Sequence, residues 1–309
     1  MDLYGRNLLT LKDFTTKEID YILDISEQLK KQHKSNELAK SLLNKSLGMI
    51  FQKKSTRTRV SSEVAMFLMG GHALFLGKDD IQLGVNETLK DTSLVLSRMV
   101  SGVLARVFEH SIVEELAEHS SIPIINALSD TYHPLQILAD LLTIREKYQK
   151  LEGLKLAWVG DGNNVLHSLL VACPKMKIDL SVATPNNYRP NEEIVNYSKK
   201  LALVYNSSVE LKNDPEVVVK NADIIVTDTF ISMGQESETE KRKESFRNYQ
   251  VNDNLVKLAK PDYIFMHCLP RHQEEVSDDV FYSDHSVVFD EAENRLYTAM
   301  GIFKILLSK

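Results

Sequence analysis

Ser55, Thr56, Arg57, Thr58 and Arg59 follow one another in a single run, with Lys53 and Lys54 just ahead of them. Hydroxyls and guanidiniums at that density are the donors that hold a phosphate, the guanidinium through charge-assisted, two-pronged hydrogen bonds. Taken alone, the run also suits a capped helix start with solvated charges. Its flanks decide between the two. Leu47 to Phe51 is apolar and reads as a short strand, and Val60 to Met69 reads as a helix with Ser61, Ser62 and Glu63 in its first turns. At a strand-to-helix junction the unpaired backbone N–H groups and the positive end of the helix dipole face whatever binds. The run reads as a phosphate cradle.

His133-Pro134-Leu135-Gln136 opens a helix, since proline is tolerated at a first helical position. His133 and Gln136 are one turn apart and can face one ligand, donating to a polarised carbonyl and accepting from an amide NH₂. The plainer role for the histidine is a cap. Arg106 is a charge inside the apolar stretch Val103 to Val107, so it needs an anionic or carbonyl partner or a structural salt bridge. Asp228 and Ser232, in the stretch Asp228 to Gly234, offer a carboxylate and a hydroxyl at a strand end. They suit an α-ammonium group, and equally an ordinary turn cap. His267 and Cys268 are neighbours on an extended strand, where adjacent side chains point to opposite faces. A histidine-activated thiolate is therefore not expected, and no His/Cys pair has the spacing of a zinc site. The Gly160-Asp-Gly-Asn-Asn164 turn does not complete G-x-G-x-x-G, because residue 165 is Val, so a dinucleotide site is not expected either. Cys173 sits in an apolar helix and reads as core.

The elements that must position these residues alternate along the chain. Thr15 to Gln32 carries Ile19, Ile22, Leu23 and Ile25 at helical spacing. After the cradle, strands are expected at 72–76, 103–108 and 122–127, and helices at 87–100, 112–119 and 133–148. The stretch 149–153 is the best boundary. Beyond it come strands at 154–159, 178–183, 222–227, 263–266 and 287–289, a helix at 165–172, and an exposed charged loop with some helix at 235–250. The last segment, 295–307, is amphipathic and is expected to pack back onto the first half. Such alternation predicts an α/β fold of two domains, each a parallel β-sheet flanked by helices. The domains are placed at 1–148, joined by the helix 295–309, and at 149–294.

Composition agrees with a globular chain: 309 residues, 43% hydrophobic and 26% charged. A formal net charge of −6 argues against a general nucleic-acid or membrane-surface binder, so an anion must be met by a local cluster. No apolar run approaches the roughly 20 residues needed to span a bilayer. The first residues read as neither a signal peptide nor an Arg-rich transit segment, and two cysteines make no disulfide framework. The expected compartment is cytoplasmic, or the mitochondrial matrix if a transit peptide has been removed. Ligands of open α/β sheets bind beyond the carboxyl ends of the strands. Those ends are cationic or donating in the first half and mostly neutral or acidic in the second. That contrast suggests an anionic phosphate on one side and a cationic or zwitterionic co-substrate on the other, in a cleft between the domains.

Taken together, Ser55-Thr-Arg-Thr-Arg59, His133-Pro-Leu-Gln136, Gly160-Asp-Gly-Asn-Asn164, Asp228 to Gly234, His267-Cys-Leu-Pro270 and Glu291-Ala-Glu-Asn-Arg295 resemble the ornithine carbamoyltransferase family, in its order and spacing from about Gly5 to the C-terminus. The resemblance implies that Ser55, Thr56, Arg57 and Thr58 bind the phosphate of carbamoyl phosphate. Arg106, His133 and Gln136 would hold and polarise the carbamoyl group, with Arg295 near the leaving phosphate. Gln82 would reach the phosphate from a neighbouring subunit of a homotrimer. Asn164, Asp228, Ser232 and Met233 would bind the α-carboxylate and α-ammonium of L-ornithine, with Cys268 and Leu269 beside its δ-amine. Catalysis would fall to Arg57, Arg106, His133 and Cys268. No cofactor and no metal are implied. The Ser-Met-Gly loop disfavours putrescine, acetylornithine and aspartate as acceptors. His72 to Asp80 and Arg271-His-Gln-Glu274 carry no assigned role.

Overall fold

The computed structural model of the chain describes residues 1–79, 81, 87–231 and 238–309. Two compact units emerge: Met1–Leu142 with Glu293–Lys309, and Thr143–Ala292.

The first unit opens with α1 (Thr16–Lys34), followed by β1 (Ser46–Phe51), α2 (Thr56–Leu68) and β2 (His72–Gly77). It continues through α3 (Leu89–Leu96), β3 (Gly102–Arg106), α4 (His110–His119), β4 (Ile124–Leu128) and α5 (Pro134–Tyr148). The four strands form one parallel sheet in the order β2-β1-β3-β4. Strands buried on both faces need near-continuous apolar sequence, and β3 is buried along its whole length. Local signals start the helices. Thr15 and Glu18 cap α1 reciprocally: the Glu18 N–H donates to Thr15 Oγ1 at 3.3 Å and the Thr15 N–H to Glu18 Oε2 at 2.7 Å. Its apolar stripe of Ile19, Ile22, Leu23 and Leu29 is fully buried, each side chain contributing about 1.5–3 kcal/mol.

In the second unit β5 (Lys155–Val159), α6 (Asn164–Lys175), β6 (Asp179–Ala183), α7 (Glu192–Tyr205), β7 (Val209–Lys212) and α8 (Pro215–Val219) precede β8 (Ile224–Thr227). Then come α9 (Thr239–Phe246), α10 (Asp253–Val256), β9 (Ile264–His267), α11 (Asp278–Phe281) and α12 (Val288–Leu307). The sheet order is β7-β6-β5-β8-β9, again all parallel. From Glu293 onward α12 belongs to the first unit, where Lys30 Nζ donates to Asn294 Oδ1 at 2.8 Å.

Two sequence expectations need correction. The strand expected at 287–289 does not form. Ser286 makes a single bridge to Phe265, the Val287 N–H donates to the Phe265 carbonyl at 2.9 Å, and helix begins at the next residue. The good helix formers Glu291, Ala292 and Glu293 overrule the β-branched pair before them. β7 and α7 went unread, because β7 is a short edge strand whose residues alternate between half-buried and exposed and whose sequence, Val-Glu-Leu-Lys, looks polar.

Candidate functional site

In each sheet the chain reverses its winding at one place, between β1 and β3 in the first and between β5 and β8 in the second. Loops leaving neighbouring strands diverge at such a point and open a crevice beyond the carboxyl ends. Ser55–Thr58 and Arg106 leave β1 and β3 there, and Asn164 and Asp228 leave β5 and β8.

β1 ends at Phe51 and α2 begins at Thr56, so the basic run is the junction itself. Ser55 caps α2, its Oγ accepting from the Thr58 N–H at 3.3 Å. Thr56 is exposed, Arg57 half-buried and Thr58 buried. Arg59 turns aside: its Nε donates to Glu63 at 2.9 Å and its guanidinium lies 3.8 Å from the Phe75 ring centre. β3 delivers Arg106, and here the β3/β4 register slips by one residue, with Ala105 opposite Asn126 but Arg106 opposite Leu128. A bulge at a strand end re-aims the side chains beside it. The loop after β1 is tied to the same strand, the Gln52 N–H donating to the Arg106 carbonyl at 2.9 Å and the Phe108 N–H to Gln52 Oε1 at 2.9 Å.

His133 and Gln136 start α5, both buried. Arg295, from α12, spans the group: Nη1 donates to Gln136 Oε1 at 2.6 Å and Nη2 to Thr58 Oγ1 at 3.2 Å. Gln136 Nε2 donates onward to Asp140 Oδ1 at 2.8 Å. Burial, and then the guanidiniums of Arg295, Arg106 and Arg57, hold the His133 imidazole well below the ordinary histidine range. It is neutral at physiological pH. Burial and Arg106 also depress Lys53, whose ammonium sits 4.7 Å from the Phe108 ring centre. Charge, helix-start N–H groups and hydroxyls gather here around a neutral imidazole, an arrangement chemically able to hold an anion.

In the second unit the turn after β5 is confined by a close approach. A Cβ on Gly162 would lie 2.3 Å from the Pro190 nitrogen, so only glycine fits. Asn163 then caps α6, its Oδ1 accepting from the Val165 and Leu166 N–H groups at 3.0 and 3.2 Å. Its Nδ2 donates to Asp228 Oδ2 at 2.7 Å. Asn164, half-buried, is the first residue of α6. Asp228, at the end of β8, also accepts from the Thr229 N–H at 2.7 Å, and Cys268 Sγ lies 2.7 Å from its Oδ1. Its carboxylate is thus fixed before any ligand arrives. Burial lifts Asp161 to about 6, against the pull of Arg242, which donates to it at 3.1 Å.

His267 engages both ring nitrogens. Nδ1 accepts from the Leu269 N–H at 2.9 Å, and Nε2–H donates to Glu275 Oε2 at 3.0 Å. That first bond holds Leu269 in the left-handed region, at φ 59°, uncommon for a residue with a side chain. Glu275 also accepts from the His272 N–H at 2.8 Å, from His272 Nδ1 at 2.9 Å and from the Phe230 N–H at 3.3 Å. Burial raises the Glu275 carboxyl, but the two histidines outweigh it and hold it below the usual range. One ligand atom each from Asp228, His267 and Cys268 falls within 4.8 Å, a trio that residue spacing did not suggest. A metal there would have to displace one of the two hydrogen bonds that His267 makes.

Ser55, Thr58, Gln136 and Arg295 are thus joined by hydrogen bonds, with His133, Arg57 and Arg106 close enough to act on one another's charge. Asp228 and Cys268 meet directly, and Asn164 and Leu269 sit on the loops beside them. Gln82, Ser232 and Met233 lie outside the described residues. Sequence reasoning missed Asn163, Asp140 and Glu275, and it gave no role to the segment 271–274, where His272 binds Glu275. A buried acid in an apolar helix was the visible signal for Asp140.

A family model described as the aspartate/ornithine carbamoyltransferase carbamoyl-P binding domain matches residues 6–146, and the family's Asp/Orn binding domain matches residues 152–306. The mitochondrial ornithine carbamoyltransferase of Schizosaccharomyces pombe is 52% identical over 98% of this chain and 95% of that protein. A solved ornithine carbamoyltransferase from Pyrococcus furiosus superposes with a TM-score of 0.97 at 50% identity, covering 99% of this chain and 98% of that one. One from Coccidioides immitis gives 0.91 at 48% identity, covering 98% of each chain. The chain belongs to the aspartate/ornithine carbamoyltransferase family. It is a carbamoyltransferase.

Proposed function

We propose that the protein transfers the carbamoyl group of carbamoyl phosphate to the δ-amine of L-ornithine, giving L-citrulline and phosphate. The amine nitrogen attacks the carbamoyl carbon, forming the new C–N bond and a tetrahedral oxyanion. The C–O bond to phosphate then breaks, and the amine gives up a proton. Phosphate is a good leaving group, so the protein's task is to orient both substrates and to stabilise the oxyanion. Ser55, Thr56, Arg57 and Thr58 hold the phosphate, and Arg295 reaches the leaving oxygen. Arg106, His133 and Thr58 polarise the carbamoyl oxygen, and Gln136 faces the carbamoyl amide. Asn164 and Asp228 take the amino-acid end of ornithine, with Ser232 and Met233 contributing from the adjoining loop. Cys268 and Leu269 flank the δ-amine.

The observation that carries this reading is the Thr58–Arg295–Gln136 chain beside a neutral His133. The deciding experiment is citrulline formation from carbamoyl phosphate and ornithine, by the parent and by Arg106→Ala. The parent turns over and the variant loses essentially all activity while keeping its circular dichroism spectrum. A variant with near-parental rate would remove Arg106 from the chemistry.

The proposed assembly is a homotrimer in which Gln82 serves a neighbouring subunit. Supporting it are exposed apolar side chains on the first unit: Val60 and Phe67, seven residues apart on α2, and Leu74 on the edge strand β2. The proposed compartment is the cytoplasm, or the mitochondrial matrix after loss of a transit peptide. Cys173 and Cys268 are thiols rather than a disulfide, which suits a reducing environment. Among the described residues no helix is long and apolar enough to cross a membrane.

A further inference from the structure

Asp140 is 2% exposed in the middle of α5, one helical turn beyond Gln136 and among the buried Leu138, Ala139, Leu141 and Leu142. An ionisable acid in such surroundings is costly unless a donor meets it, and Gln136 Nε2 does so at 2.8 Å. The two ends of a carboxamide are nearly equal in size and opposite in hydrogen-bonding sense, and its terminal torsion is soft and roughly two-fold. Asp140 Oδ1 accepts from the NH₂ end, which leaves the oxygen end turned to Arg295 Nη1, 2.6 Å away. The other guanidinium nitrogen reaches Thr58 Oγ1 at 3.2 Å. Asp140 on one side and the donor-only Arg295 guanidinium on the other thus hold the Gln136 amide in a single sense, and the same guanidinium runs on to the start of α2.

We propose that Asp140 is a positioning residue for carbamoyl transfer, acting through Gln136 to aim the Gln136 amide and the Arg295 guanidinium at carbamoyl phosphate. The inference rests on the reading of Gln136 and Arg295 as contacts of that substrate. It predicts a loss confined to carbamoyl phosphate, whereas a merely structural acid would weaken folding and both substrates together.

The test is steady-state kinetics of the full chain, with thermal unfolding alongside, for Asp140→Leu, Asp140→Ser, Asp140→Asn, Gln136→Ala and the double variant Asp140→Leu/Gln136→Ala. Asp140→Leu fills the space without an acceptor, and it lowers kcat/KM for carbamoyl phosphate roughly 10- to 100-fold while the KM for ornithine stays within about twofold. Should that variant not fold, Asp140→Ser, too short to reach Gln136, makes the same comparison. Asp140→Asn keeps an acceptor oxygen at the same reach and restores kcat/KM to within about threefold. The double variant is no worse than Gln136→Ala, because both changes break one chain. A folded Asp140→Leu or Asp140→Ser with parental kcat/KM overturns the proposal, as does a double variant whose loss is the product of the single losses. If Gln136→Ala is itself without effect on carbamoyl phosphate, the site reading fails and the proposal falls with it. A damaged Gln136→Ala beside unaffected Asp140 variants sinks the proposal alone.

Discussion

His133 is a histidine at the centre of a cationic site, and that placement decides its protonation. Its imidazole is buried and surrounded by Arg295, Arg106 and Arg57, so adding a proton there is opposed by desolvation first and by like charge next. Two outcomes follow at this scale. In catalysis, no ionisation of His133 intrudes between pH 6 and 8, and kcat/KM for ornithine climbs through the alkaline range as the δ-amine, with a free value near ~10, loses its proton. A pH–rate profile checks this, and a flat line from neutral to alkaline pH is the contrary result. In stability, the folded state resists a proton that the unfolded chain accepts near ~6.5. The contribution is therefore fully present above that pH and is lost as the pH falls below it, by at most about 1.4 kcal/mol per unit. Urea midpoints at pH 7.5 and 5.5 should fall less for His133→Gln than for the parent.

Among the elements, the helix starts and tight turns do the positioning. Ser55→Ala removes the cap of α2 and costs about 1 kcal/mol by urea unfolding, together with weaker carbamoyl phosphate binding. Gly162→Ala is the more severe change, because its Cβ meets the backbone at Arg189 and Pro190, 2.4 and 2.3 Å away, where no side chain can move aside. We expect a loss on the order of 3 kcal/mol and a raised KM for ornithine, since the same turn sets Asn163 against Asp228. Normal stability and KM in Gly162→Ala would show that the turn has another way to relax. At Ser55 a helix start was legible in the sequence because its signals are local, although the helix was expected from Val60 and begins at Thr56, with Ser55 as its cap. The contact at Gly162 was not, because its partner loop lies some 27 residues further along the chain and nothing local marks it.

For the whole molecule, two predictions concern acceptor choice and assembly. Offered ornithine, putrescine, acetylornithine and aspartate at equal concentration, the enzyme should carbamoylate ornithine at least about 100-fold faster than any other, because acetylornithine and aspartate bring no second free ammonium to the fixed Asp228 carboxylate and putrescine brings no carboxylate to the amino-acid end of the site. A citrulline colour assay, with product chromatography for the others, reads this directly. In sedimentation equilibrium the parent should run at three times the chain mass, and Phe67→Asp, which puts a charge on the exposed apolar face of α2, should shift it toward monomer. A parent that sediments as a monomer ends the trimer reading and the shared role of Gln82.

Alternation of apolar and polar runs, the strand-to-helix junction that holds Ser55–Arg59 and the strand-end placement of Arg106 and Asp228 were determined by the sequence itself, because periodicity, capping and parallel-sheet burial act over a few residues. What only the tertiary structure decided is which distant groups meet. Arg295 and Thr58 are 237 positions apart and share a hydrogen bond. Asn163, which the sequence did not single out, donates to Asp228 from 65 positions away. Glu275, from a stretch that suggested nothing, gathers two histidines and the Phe230 N–H. The physical reason is one of range: hydrogen bonds and desolvation depend on separations of a few ångströms in space, and the order of residues along a chain does not encode those separations until the chain has folded.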